Sequence, residues 1–415
     1  MRNFYRLFMV ALAFLAAIGP CAAKQAAPLA CSVSAPNVSC VMTALDNPRG
    51  LAFGPHGTLF VAEAGTGAAP CKAGTGFNCY GHTGAITRLW HDEQVRVSTG
   101  LPSLSFVLGA SARGAHDIAM WSGKGSQPSV LGEEGALVTI GLEMTATARN
   151  NAGRGDMGRL VHIPIDALLA PSSQLCPACW SAVLDIAPLH PDPNPDPNLE
   201  SDPYALLVDK GQGSDDDSLV LVDSSRNWLA RIGAQGEFSR MAVFPSRFQG
   251  RSTDSVPTTI ARGPDGDYYV GELVGIPFAT TPTVTRPPAN IYRVSADPPH
   301  DVSVFLTGFN AIIGVAFHGE DLYVLQHWSS FTSSTLKDGK LIRIACHDRP
   351  LVCDGAPEVL IGGLDGPTSV LIGRGAIYIS HHGASPAFVG TTRQRLGEVL
   401  RLALDDDEED DEEGE

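Results

Sequence analysis

The chain has 415 residues, of which 44 are Gly and 30 Pro, about 18% of positions against roughly 12% in average usage. Apolar residues make up 44% and charged ones 18%, which excludes both a disordered chain and a coiled coil. The formal charge of −16 argues against a nucleic-acid partner, whose phosphates draw on surplus Lys and Arg.

Arg2 and Arg6 precede an apolar stretch, Leu7 to Ile18, that Gly19-Pro20 ends. With small residues at Cys21-Ala22-Ala23, residues 1–23 read as a signal peptide cut after Ala23. The stretch is too short to span a bilayer, and no later segment is long and apolar enough to do so. The expectation is a secreted or periplasmic protein with no transmembrane segment. Pro20 fits a lipid-modified Cys21 badly.

Eight cysteines follow that cut, in four local couples: Cys31/Cys40, Cys71/Cys79, Cys176/Cys179 and Cys346/Cys353. An even count in an oxidising compartment predicts disulfides that staple loops. Cys176-Pro-Ala-Cys179 has redox spacing, but no helix is at hand to lower a thiol pKa.

Gly and Pro at this density, without a collagen period, predict many short strands joined by tight turns. A self-comparison shows how they are organised. Asn47-Pro-Arg-Gly-Leu-Ala-Phe-Gly-Pro-His-Gly-Thr-Leu-Phe-Val-Ala-Glu63 is an apolar strand, a Gly-centred turn and a second strand ending in a polar residue. Weaker copies begin at Gly114 and Asp202, with second strands Ala136 to Ile140 and Ser218 to Asp223. Clear copies recur at Val256 to Glu272, Ala311 to Gln326 and Gly366 to His381. Third strands are expected at 84–90, 159–163, 228–232, 290–294, 339–344 and 397–402. Fourth strands at 95–99, 182–186, 240–244, 302–307 and 358–361 close every unit except the sixth. A spare strand, Ser39-Cys-Val-Met-Thr-Ala44, precedes the first. Six units of four strands, the last completed by the N-terminus, predict an all-β, six-bladed β-propeller, NHL/SMP-30-like, over residues 24–404. Ring closure removes exposed sheet edges. No helical period competes with this pattern. Residues 405–415 hold ten acids and no apolar side chain, so they read as a disordered acidic tail. Without that tail and the leader, the folded part carries about −8.

The run from Asn47 to Gly65 resembles the opening signature of the ScyD/ScyE family, secreted propeller proteins named from the scytonemin pigment cluster. Cys79-Tyr-Gly-His-Thr-Gly-Ala-Ile-Thr-Arg88, Thr99-Gly-Leu-Pro-Ser103, His116-Asp117, Asp202-Pro-Tyr204 and Val270-Gly-Glu-Leu273 are similar too. The resemblance spans residues 40 to 404 and implies a six-bladed ring and export. It brings no established reaction.

In such a ring the first strands begin, and the second strands end, on one face around the central channel. That places Arg49, His116, Asp117, Tyr204, Thr258 and Thr368 on one rim with Glu63, Glu143, Asp223, Glu272, Gln326 and His381. Glu63, Asp223 and Glu272 are candidate ligands of a hard cation such as Ca²⁺. His116 and Asp117 are candidate acid/base groups, and Arg49, Tyr204 and His381 candidate ligand-binding groups. The competing role for the same residues is structural, as a polar ring that bonds loop backbones.

Neither GxSxG nor HExxH occurs, which removes the usual support for serine-hydrolase and zincin chemistry. Gly153-Arg-Gly-Asp-Met-Gly158 matches GxGxxG, but a strand rather than a helix is expected after it. The expected function is thus a binding or scaffold propeller presenting one face to a small molecule or protein. The alternative is a metal-dependent ester or lactone hydrolase at the channel rim. A third reading, a redox protein with a bound quinone, requires a coloured cofactor.

Overall fold

The computed structural model describes residues 31–68, 79–105, 111–124, 127–189, 200–210, 217–248, 252–275, 287–328, 338–347, 350–384, 388–389 and 392–404. The leader, the acidic tail and Cys71 lie outside the described residues.

Six four-stranded antiparallel sheets form the blades of a β-propeller. Blade 1 comprises Pro48–Phe53, Leu59–Glu63, Cys79–Trp90 and Glu93–Ser105. Blade 2 follows with Ala115–Trp121, Gly135–Ile140, Arg159–Pro164 and Ser181–Asp185, and blade 3 with Pro203–Asp209, Ser218–Asp223, Trp228–Ile232 and Phe238–Val243. Blade 4 uses Pro257–Arg262, Tyr268–Glu272, Ala289–Val294 and Val302–Phe309, and blade 5 Ile312–His318, Asp321–Gln326, Gly339–Ile344 and Glu358–Leu364. Blade 6 takes Ser369–Gly373, Ala376–His381 and Gly397–Ala403 from the C-terminal end. Its fourth strand is Val38–Leu45, paired antiparallel with Gly397–Ala403 from Val38 opposite Leu402 to Leu45 opposite Gly397. The predicted strand exchange is therefore the way the ring closes.

The core lies between blades. Second strands are packed on both faces, which is why they read as unbroken apolar runs. In Ser218–Asp223, Leu219 and Leu221 pack toward blade 2, while Val220 and Val222 pack toward blade 4. At the seam, Met42 and Leu45 of the N-terminal strand join Leu51, Leu59 and Val61 of blade 1. The closing strand is thus a full core element.

Disulfides join Cys31 to Cys40, Cys176 to Cys179 and Cys346 to Cys353, and Cys79 is also disulfide-bonded. Such bonds suit an oxidising compartment. Among the described residues no helix is long and apolar enough to cross a membrane.

Two features depart from the sequence reading. Short helices occur at Ala146–Asn151 and Ile165–Leu169, both around the third strand of blade 2. The first is started by its cap: Thr145 Oγ1 accepts from the Ala148 N–H at 3.1 Å. Neither is long enough to establish a helical period. In blade 1 the outer hairpin is longer than expected, because Leu101 to Ser105 is buried and pairs with residues 79–84 across irregularities in register. Gly153 to Gly158 follows a helix and precedes a strand, so it lacks the frame of a dinucleotide site.

Candidate functional site at the channel mouth

Each of blades 1 to 5 starts its inner strand with a β-bulge. Pro203 faces Asp223 and Ala205 faces Val222, leaving Tyr204 as the inserted residue. The same slip inserts His116 in blade 2, Thr258 in blade 4 and Ile313 in blade 5. Blade 1 slips between Pro48 and Leu51, at Arg49-Gly50. A bulge re-aims its side chain out of the strand's alternation. Four of the residues expected at the rim are therefore bulged residues.

Gly50, His116, Tyr204, Thr258 and Ile313 border a cavity of about 600 Å³ that runs between the six inner strands. His116, Tyr204, Thr258 and Thr368 line its mouth, and Leu207, Ile260, Val370 and Leu371 line it deeper. An inner strand is a sheet edge, so its outward N–H and C=O groups need partners. Side chains of neighbouring blades supply several of them. Between blades 2 and 3, Thr139 Oγ1 donates to Tyr204 O at 2.9 Å, and Asp117 Oδ2 accepts from the Leu206 N–H at 2.9 Å. Between blades 4 and 5, Thr258 Oγ1 donates to Ile312 O at 2.7 Å. Between blades 6 and 1, Thr368 and Ser380 donate to Pro48 O and Arg49 O.

Asp117 also accepts from the Ile118 N–H, so both its oxygens serve backbone. Burial nevertheless pushes its carboxyl up to about 7, against the pull of those two donors. His116 is buried beneath Gly141, where a Cβ would overlap the imidazole at 2.2 Å. The Tyr204 ring packs against it with centroids 4.6 Å apart. Burial, aided by the charges of Arg49 and Arg113, holds His116 well below its ordinary range, so it is neutral. Its Nδ1 lies 3.7 Å from Asp202 Oδ1, beyond hydrogen-bond distance, and is buried without a partner.

Arg49 is 7% exposed. Its Nη2 donates to Ala112 O at 2.9 Å, while its Nε is buried and unpartnered. The guanidinium interacts electrostatically with Arg113 ahead of blade 2, Asp202 and Tyr204 of blade 3, and His327 of blade 5. Burial lowers His327 to about 4, and its Nδ1 donates to Pro367 O at 2.6 Å.

The structure does not bring Glu63, Asp223 and Glu272 together; among the described residues they form no ligand cluster. Each is fully buried at the end of its own second strand and occupied there. Glu63 accepts from Asp46 N–H at 2.6 Å, from Arg96 Nε at 2.8 Å, and from the Thr87 hydroxyl. Asp223 accepts from Ser201 Oγ at 2.6 Å and from Asp202 N–H at 2.9 Å. Glu272 accepts from Ser255 Oγ at 2.6 Å and from Asn290 N–H at 2.7 Å. The equivalent residues of blades 5 and 6 do the same: Gln326 Oε1 accepts from Asn310 N–H, and His381 Nε2 from Asp365 N–H, both at 2.7 Å. This position is a latch for the backbone beside it. A Ca²⁺ site built on these three carboxylates would have to break those bonds.

His381, His382 and Glu398 do gather at the blade 6 seam, beside Ser32. The Asp365 N–H on Nε2 fixes the His381 tautomer, so Nδ1 carries the proton and donates to Glu398 Oε1 at 2.8 Å. A protonated Nδ1 has no lone pair for a metal. His381 thus buttresses Glu398, which holds the N-terminal segment through Ser32 N–H at 3.3 Å and the Ser32 hydroxyl.

Sequence reasoning did not single out Arg96, Arg113, His327 or Glu398. His327 had a weak signal, being next to the rim position Gln326. The arginines had none, because their partners are 33 and 30 residues away in Glu63 and Glu143.

No family model and no curated protein matches the chain. Solved structures do. A putative oxidoreductase (glucose dehydrogenase) from Thermus thermophilus superposes with a TM-score of 0.50 at 17% identity, covering 88% of this chain and 99% of that one. A PQQ-bound aldose sugar dehydrogenase from Streptomyces coelicolor gives 0.46 at 13% identity, covering 88% and 97%. An α-L-arabinofuranosidase from Fusarium graminearum gives 0.49 at 10% identity, covering 86% and 93%. At such identities the likeness concerns the fold alone.

Proposed function

We propose that the protein is an exported binding propeller of the ScyD/ScyE type that holds a small molecule at the mouth of its central channel. One observation carries this reading. His116 and Tyr204 line a cavity of about 600 Å³ between the inner strands, Arg49 interacts electrostatically with both, and Arg49 and His116 each keep a buried polar atom without a partner. A cavity of that size with a few convergent polar groups is the usual form of a small-molecule site.

The hydrolase alternative needs Ca²⁺ on Glu63, Asp223 and Glu272 with His116 as base. Those carboxylates are spent on backbone and on Arg96, which favours binding over hydrolysis. Elemental analysis of the purified mature protein, with thermal unfolding before and after EDTA, tests this directly. Tightly bound divalent metal and a lowered midpoint after EDTA would overturn the binding reading in favour of the metal enzyme. A plain absorbance spectrum checks the quinone reading in the same sample, and N-terminal sequencing of exported material checks cleavage after Ala23.

A further inference from the structure

We infer that the central channel takes a neutral, mainly apolar small molecule whose one carbonyl accepts from the Tyr204 hydroxyl at the mouth. The inference rests on the binding reading above and names its ligand class.

The channel wall decides the apolar part. Below the mouth it is lined by Ala119, Leu207, Ile260, Val370, Leu371 and Ile372, aliphatic side chains from blades 2, 3, 4 and 6. Besides Tyr204, the ionisable groups that line it are His116, Asp117, Lys210 and Arg262. His116 is neutral, and Asp117 is spent on two backbone N–H groups. Arg262 ends the blade 4 inner strand, away from the mouth, where Asp209 and the Tyr268 hydroxyl hold it. Lys210 follows the blade 3 inner strand at that same far end and is exposed. Among the described residues no unpaired charge lies on the wall between these ends. An ion lodged there would lose its hydration and gain no counter-charge.

Tyr204 decides the polar part. Its hydroxyl has no hydrogen-bond partner among the described residues, whereas the Thr258 and Thr368 hydroxyls at the same mouth donate to backbone. Arg49, Arg113, Asp202 and Asp117 all act on it electrostatically, two basic and two acidic, so its surroundings favour neither sign. Burial raises the phenol above its ordinary range, which keeps it protonated and a donor. One neutral acceptor at the end of an apolar body completes its bonding. A carbonyl serves better than an alcohol, which would bring a donor that needs an acceptor of its own.

Equilibrium dialysis at pH 7 with 2-acetylnaphthalene, 2-ethylnaphthalene and 2-naphthoate tests this. The three share a ring system and carry a neutral carbonyl, no acceptor and a carboxylate. In wild type, 2-acetylnaphthalene is expected to bind at least about tenfold more tightly than 2-naphthoate, whose charge would be buried unpaired. Tyr204→Phe should weaken 2-acetylnaphthalene about fivefold, the worth of one hydrogen bond, and leave 2-ethylnaphthalene unchanged. Leu207→Trp, which fills the channel, should weaken both neutral ligands, with circular dichroism confirming that each variant is folded. Naphthoate binding as tightly as the ketone, or a Tyr204→Phe effect equal for ketone and hydrocarbon, would overturn the inference while leaving the channel as a binding site. Unchanged affinities in a folded Leu207→Trp, or no binding of any of the three to wild type up to its solubility limit, would overturn the inference and the channel-binding reading together. If Leu207→Trp does not fold, the Tyr204→Phe comparison decides.

Discussion

Two sets of ionisable side chains are buried at the same rim, and they have opposite hydrogen-bond states. Glu63, Asp223 and Glu272 are fully buried and saturated, each holding a backbone N–H and a hydroxyl within its own blade or the adjoining segment. Arg49 and His116 are buried too, yet each keeps a polar atom unpartnered. Burial and position in the ring are common to both sets. What separates a latch from a candidate site is whether the fold already satisfies the group, because a saturated carboxylate must give up bonds to hold anything else.

The sharpest way to break this comparison is to truncate one member of each set. Glu63→Ala removes the acceptor of Asp46 N–H and one of the two carboxylates paired with Arg96, leaving that largely buried guanidinium to Asp46 alone. It is expected to cost about 3–5 kcal/mol in denaturant unfolding. Arg49→Met, by contrast, should change stability by no more than about 1 kcal/mol, since it removes a charge the fold leaves mostly unpaired. A large loss in Arg49→Met would place Arg49 among the latches.

Titration sharpens the same contrast. His327 titrates near 4 in the folded protein and about 6.5 unfolded, so the unfolded chain binds the extra proton between those values. Its contribution is complete above pH 6.5, and about 3 kcal/mol is lost as pH falls to 4. His381, lowered by burial, adds to the loss in the same direction. Unfolding midpoints across this range should fall with acid, and more shallowly in His327→Gln.

At the seam, replacing Cys31 and Cys40 by Ser is expected to cost about 2–3 kcal/mol and to raise amide exchange first along Val38–Leu45. The smallest effect is at a single stitch. Thr368→Val leaves Pro48 O without its donor and should cost about 1–2 kcal/mol in denaturant unfolding.

Much of this architecture was legible before any coordinates. Second strands such as Leu219 to Val222 are apolar on both faces because each blade is packed on both sides, and that run repeats six times. The leftover strand before blade 1 and the missing strand after blade 6 announced the ring closure. The rim positions of Arg49, His116 and Tyr204 were legible for the same reason. Their bulges were not, since an inserted residue is defined only against its partner strand. Nor was the occupation of Glu63 and Asp223, whose partners Arg96 and Ser201 carry no mark of that role in the sequence.

The amino-acid sequence by itself therefore determined the all-β class, the number of units, the exchange of the closing strand and the face on which polar residues gather. Those follow from local periodicity and turn chemistry, which act over a few residues at a time. Only the tertiary structure decided which of those polar residues are latches and which are left open. Hydrogen-bond saturation is a property of neighbours brought together from distant parts of the ring, and no local pattern records it.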